Sequence, residues 1–160
     1  MEKTKTEKYF DDLVSHIFTF FKPLGYKKKG NNFRYYNEEG KWGEIINFQK
    51  NRWNTKLHIK FTVNIGLYME NHKNDYNKHF LNDTKSVLDS FTIHLCYTQR
   101  RIGFITNYKE DKWFEVYDLV DYEKLKATLE RDFVEFVIPF LDRIKTKEDI
   151  LSLPPTAPFS

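Results

Sequence analysis

Between residues 57 and 67 apolar and polar side chains alternate. Leu57, Ile59, Phe61, Val63, Ile65 and Leu67 hold the odd positions, with His58, Lys60, Thr62 and Asn64 between them. That period of two predicts a strand in a sheet with one buried face. A different period precedes it. Phe10, Leu13, Val14, Ile17, Phe18 and Phe21 recur at three- and four-residue spacing, while Asp11, Asp12 and Ser15 lie off the stripe. This predicts an amphipathic helix over residues 4–22. Pro23 and Gly25 end it, because proline cannot continue the hydrogen-bond ladder and glycine accepts the left-handed turn. Residues 33–36 and 44–53 read as further strands around an Asn-Glu-Glu-Gly turn at 37–40.

Residues 70–83 are polar and irregular, which predicts a long excursion. Residues 91–105 read as a strand bent near Arg100 and Arg101, and residues 112–119 as a short edge strand. The last third is helical: Leu125, Leu129, Phe133, Phe136, Val137, Phe140, Leu141 and Ile144 make a wide apolar stripe. Pro139 falls inside that stripe and predicts a kink or a split. Thr146, ahead of Glu148 and Asp149, caps a last short helix. A helix, several antiparallel strands and then helices make an α+β domain. The expected fold is an N-terminal helix, a central antiparallel sheet of four to five strands, and C-terminal helices packed on one sheet face. It spans residues 1–153 as one domain, with 154–160 as a flexible tail.

At 160 residues the chain is long enough for one real core. Its single cysteine, Cys96, excludes an internal disulfide and fits a reducing compartment. The polar start MEKTKTEKYFDD predicts no secretory leader, and no apolar run approaches the ~18 residues of a membrane span. A cytoplasmic protein without membrane association is expected. Residues 1–60 hold 13 Lys/Arg against 7 Asp/Glu, and residues 111–160 hold 7 against 11. A basic front and an acidic back either pair within the chain or leave a basic binding surface.

The stretch GYKKKGNN, residues 25–32, spaces two glycines as a phosphate-binding loop does. Such a loop needs a strand before it and a helix after it, and here the order is reversed. Asn31 and Asn32 stand where Lys and Ser/Thr belong, so nothing reaches a terminal phosphate or holds magnesium. Lys27, Lys28 and Lys29 alternate along an extended segment and form a basic rim at most. His94 and Cys96 share a face of the strand expected at 91–105, but there is no His-x-x-x-His or Cys-x-x-Cys pair and no third ligand. Cys96 lies in an apolar stretch, where a thiol is inert packing. Neither a metal nor a cofactor is expected.

The polar face of the sheet remains. If Ile46 and Phe48 face the helices, then Asn47, Gln49, Asn51 and Trp53 face away, as do His58, Lys60, Thr62 and Asn64 on the next strand. Arg34 or Tyr35, His94 and Thr98 can join them. Asn is a poor strand former, so Asn47 and Asn64 invite a reason beyond exposure. Arg100 and Arg101, at a strand end, either anchor an anion or pair with the acidic C-terminal helix.

Four stretches in this order, PLGYKKKGNNFRYY, INFQKNRWN, FTVNIGLY and CYTQRRIGF with DKW soon after, resemble an uncharacterised, mainly bacterial family of domains of unknown function. The resemblance covers roughly residues 10–120. This chain has Tyr26 where the family usually has Phe, and Trp113-Phe114 where it usually has two Trp. The resemblance implies a leading helix, a Gly-Tyr-Lys-Lys-Lys-Gly turn, a strand carrying Asn-Phe-Gln and Trp, and an Arg-Ile-Gly marker, but no reaction. The first expectation is therefore a non-catalytic binding module that holds a protein partner on its polar sheet face, an immunity or toxin-neutralising protein being one version. The alternative is a nucleic-acid binder using Lys27, Lys28, Lys29, Arg34, Lys60 and the two arginines. Phe61 in the buried register counts against an RNA-recognition sheet. The third is an enzyme built from Asn47, Gln49, His58, Asn64 and Arg101.

Overall fold

The computed structural model describes residues 2–70 and 91–154. The first helix, α1 (Lys5–Phe21), opens with a capping box. The Thr4 hydroxyl accepts from the Glu7 amide, and the Glu7 carboxylate accepts from the Thr4 amide. Its buried face carries Phe10, Leu13, Val14, Ile17 and Phe21. One tight turn holding Pro23 follows, and Gly25 closes it at φ 93°, a left-handed conformation that side chains resist. Tyr26 is thereby turned back beneath α1.

The strands are β1 (Lys27–Lys29), β2 (Asn32–Asn37), β3 (Trp42–Lys50), β4 (His58–Met69), β5 (Thr98–Arg101) and β6 (Phe114–Tyr117). All pairings are antiparallel, in the order β1-β2-β3-β4. Both β5 and β6 pair with β4, one along Asn64–Leu67 and the other along His58–Phe61. Directly opposed residues share a face, so the pairs Phe33–Ile46, Ile46–Ile65 and Phe48–Val63 put these side chains on one side. That side is covered by α1 and by α3 (Tyr122–Asp132) and α4 (Ile138–Asp142). Phe33 meets Phe48 at 5.4 Å, Phe48 stacks on Phe133 at 5.9 Å, and Phe21 meets Phe133 edge-on at 5.7 Å. Each buried phenyl contributes about 1.5–3 kcal/mol of transfer free energy. The expected α+β fold, with helices on one sheet face, is what the chain adopts.

Pro139 does not split the last long helix. A single wide π turn, Phe133–Val137, precedes α4, and the Ile138 amide donates to the Phe133 carbonyl five residues back. The wide turn takes up the missing N–H and the ring clash of the proline. Thr146 caps α5 (Lys147–Leu151) in a capping box with Asp149, as expected.

The strand expected over residues 91–105 is mostly something else. Ile93–Leu95 is a short 3-10 turn, β5 is four residues long, and α2 (Ile102–Ile105) is one helical turn. The apolar side chains of 91–96 pack across the sheet's second face, while Tyr97 packs against the helix-side core. Phe91, Ile93 and Cys96 form a small core there with Ile45 and Tyr68. His94 and Cys96 therefore do not share a strand face; His94 is exposed and Cys96 is buried. Of the excursion expected at 70–83 only Glu70 is described, and His72, His79 and residues 155–160 of the tail lie outside the described residues. No described helix is long and apolar enough to cross a membrane.

Candidate functional site

The amides on the second sheet face form one row. Asn32 opposes Asn47, Asn47 opposes Asn64, and Asn64 opposes Arg101 across four strands. Asn47 Nδ2 donates to Asn32 Oδ1 at 2.7 Å. Asn64 Nδ2 donates to Asn47 Oδ1 at 3.1 Å and to Gln49 Oε1 at 2.8 Å. Asn64 is 3% exposed. The row gives asparagine a place in strand centres: Asn47 and Asn64 donate along it and fix the register, while the buried Asn64 Oδ1 has no hydrogen-bond partner among the described residues. Asn64→Ala takes the donor from two carbonyl oxygens, so a loss of about 1–2 kcal/mol is expected, read as a lowered urea midpoint.

The other candidate residues scatter. Arg101, 3% exposed, pairs with Asp111 at 2.6 Å, and its guanidinium lies 5.1 Å from the Trp113 ring centroid. Arg100 points to the opposite, helix-covered face, opposing Ile65, and donates to Thr98 Oγ1 and the Gln99 carbonyl. Thr98, opposite Leu67, shares that face. The two arginines thus do not act together, because neighbours on a strand point to opposite faces. Arg34 lies on the amide face and donates to the Phe91 carbonyl at 2.7 Å. Trp53 lies beyond β3 in a loop, 78% exposed, with the Arg52 guanidinium 5.0 Å from its ring. His58 and Glu115 pair at 3.0 Å on the exposed surface, beside Lys60, where such pairs are worth little. Lys27 opposes Arg34 and Lys28 opposes Phe33, so the three lysines divide between both faces. Among the described residues no three His, Cys, Asp or Glu side chains come together as metal ligands.

The strongest chemistry lies on the helix side. Glu44 shares the parity of Ile46 and Phe48, and so points under the helices, 5% exposed. It opens on a cleft of about 400 Å3 between the sheet edge and the turn after α4. Tyr26, Tyr35 and Trp42 wall the cleft from the sheet side; Leu141, Asp142 and Lys145 wall it from the other. The Tyr26 hydroxyl donates to Glu44 Oε1 at 2.8 Å, whereas the buried Oε2 has no hydrogen-bond partner among the described residues. Burial pushes the Glu44 carboxyl up to about 8, against the smaller lowering effects of the Tyr26 hydrogen bond and of Lys145. Tyr26 is itself held well above its ordinary value, first by burial and then by the carboxylate. Lys145 Nζ donates to Asp142 Oδ1 at 3.1 Å at the rim.

The sequence pattern did not single out Glu44, and it marked Tyr26 only as a departure from the family's usual Phe, although the signal was present. In Trp42-Gly-Glu-Ile-Ile-Asn-Phe48 the carboxylate falls in the buried register of an alternating strand, where a charge needs a partner or a purpose. The Lys-Lys-Lys stretch drew attention to its charges, while the residue that matters beside them is Tyr26.

Residues 17–143 match a family model described as a domain of unknown function (DUF4304). No curated protein and no solved structure matches the chain.

Proposed function

The chain belongs to the DUF4304 family, a domain of unknown function, and we propose that it is a non-catalytic binding module that takes a ligand group into the Glu44 cleft. The observation that carries this is the buried, unpartnered Oε2 of Glu44 in a cleft of ligand size. A group placed so loses water without gaining a partner, and a ligand supplies what the fold leaves out. Binding is favoured over catalysis because the carboxyl stands without a nucleophile in hydrogen-bond reach among the described residues. Its hydrogen-bond partner, Tyr26, holds its own proton tightly.

We take the natural partner to be a protein. Around the loop after β3, Trp53 and Leu57 are exposed apolar side chains beside Lys60 and His58, a mixture suited to a protein surface. A nucleic-acid reading has less support, since Lys27, Lys28 and Lys29 form no single basic stripe and Phe61 is fully buried. We assign the module to the cytoplasm on the ground that its single thiol, Cys96, is buried and can form no disulfide within the chain.

A chemically mixed fragment set, followed by amide shift mapping on the full chain, tests the cleft. Binding fragments should shift the Tyr26, Gly43, Glu44 and Lys145 amides together. Fragments that shift only other regions, or a set with no binder at millimolar concentration, would sink the reading.

A further inference from the structure

Resting on the cleft reading above, we infer that the group this cleft takes is a primary ammonium, held by Glu44 Oε2 against the Tyr26, Tyr35 and Trp42 rings. Four observations select it. The site presents a carboxyl, whose charged form an ammonium favours and an anion opposes. The nearest cation, Lys145, is turned to Asp142 at 3.1 Å, so the two rim charges offset one another and leave Glu44 without an ion-pair partner. Tyr26–Tyr35 and Tyr35–Trp42 ring centroids stand 5.7 Å and 5.8 Å apart, giving adjacent aromatic walls of the kind that attract a cation. Only one carboxyl oxygen is without a hydrogen-bond partner, because Oε1 accepts from Tyr26. A guanidinium fork asks for two oxygens, whereas a compact ammonium needs one.

Binding is then linked to one proton. The neutral acid releases its proton to solvent as the ammonium arrives, and the product is a carboxylate–ammonium pair with charge conserved. The charged or titratable groups facing Glu44 are Tyr26 from the turn before β1, Tyr35 from β2, and Asp142 and Lys145 from the end of α4 and beyond. Of these, Tyr26 stays neutral near pH 7. The same ammonium chemistry is offered by a free alkylamine and by a lysine side chain of a protein partner.

The test titrates n-propylammonium into the full chain by calorimetry, in buffers of different ionisation enthalpy, at about pH 6 and about pH 7. The expected result is close to one proton released per site and an affinity about tenfold tighter at the higher pH. Glu44→Gln should weaken binding by about tenfold or more, and Tyr35→Leu by a few-fold. n-Propanol and propionate should not bind. A lysine-containing tripeptide with blocked ends is the second arm. Tighter binding of the tripeptide points to a protein side chain and tighter binding of propylammonium to a free amine, and both uphold the inference. Binding without proton release, or binding that survives in Glu44→Gln, overturns it. If a neutral or anionic fragment enters the cleft and propylammonium does not, the ammonium inference falls and the cleft reading stands. If nothing enters, both fall.

Discussion

Glu44→Gln should make the protein more stable at alkaline pH and leave it nearly unchanged in mild acid. In the folded chain the carboxyl titrates at about 8, against an ordinary value of 4.5. Between those values the folded state holds a proton that the unfolded state has given up, so stability falls as pH rises through the window. The full loss is reached above the folded value and is on the order of 5 kcal/mol. Glutamine keeps an oxygen to accept from Tyr26 and places a neutral donor where Oε2 stood, which mimics the protonated acid without titrating. Urea unfolding of both proteins at about pH 5 and about pH 9 checks this. The two should agree in acid, with the variant more stable by a few kcal/mol in base; parallel pH curves would show Glu44 to be solvated. The sign also bears on function. Near and above neutral pH, stability alone would favour glutamine at this position, so the carboxyl is a candidate for recognition.

Gly103→Ala should prevent folding or lower stability beyond the ~1–3 kcal/mol usual for an overpacked site. A Cβ at Gly103 would meet the Glu110 carbonyl oxygen at 1.8 Å and the Lys112 amide nitrogen at 2.8 Å. Both obstacles are backbone, so no rotamer change relieves them. The chain after α2 must pass this closely to return Asp111 to Arg101 and to deliver Phe114 to its place opposite Phe61. Circular dichroism melting of the variant is expected to show a transition many degrees lower, or none. An unchanged melting curve would mean that the loop at 106–113 can move aside freely. The Arg-Ile-Gly triplet thus has a physical account: Arg101 for the Asp111 pair, Ile102 for the core, and Gly103 for the close passage.

The periodic elements were legible in the sequence. The alternation at 57–67 and the stripe at 10–21 gave β4 and α1 with bounds close to those observed, because one face of each is buried and the pattern records it. Residues 91–105 misled because apolar, β-branched content does not say which surface it packs on. Here Phe91, Ile93 and Cys96 cover the second sheet face, and only Thr98–Arg101 extends the sheet. The shared face of Asn47 and Asn64 followed from parity, but their mutual hydrogen bonds needed the cross-strand register. Arg100 and Arg101 were separated by the same parity rule once the limits of β5 were known. Glu44 was hidden for a different reason. A charged residue in a strand is ordinarily read as outward, and only its alignment with Ile46 and Phe48, together with Tyr26 from a turn 18 residues earlier, identifies it as buried.

The central claim is that the fold keeps an uncompensated carboxyl inside a ligand-sized cleft. The most direct measurement is the pH titration of the Glu44 carboxyl carbon shift in isotopically labelled, ligand-free protein. A midpoint at about 8 is expected. A midpoint in the ordinary carboxylate range, about 4–5, would mean that Glu44 is hydrated or already paired, and would contradict the claim.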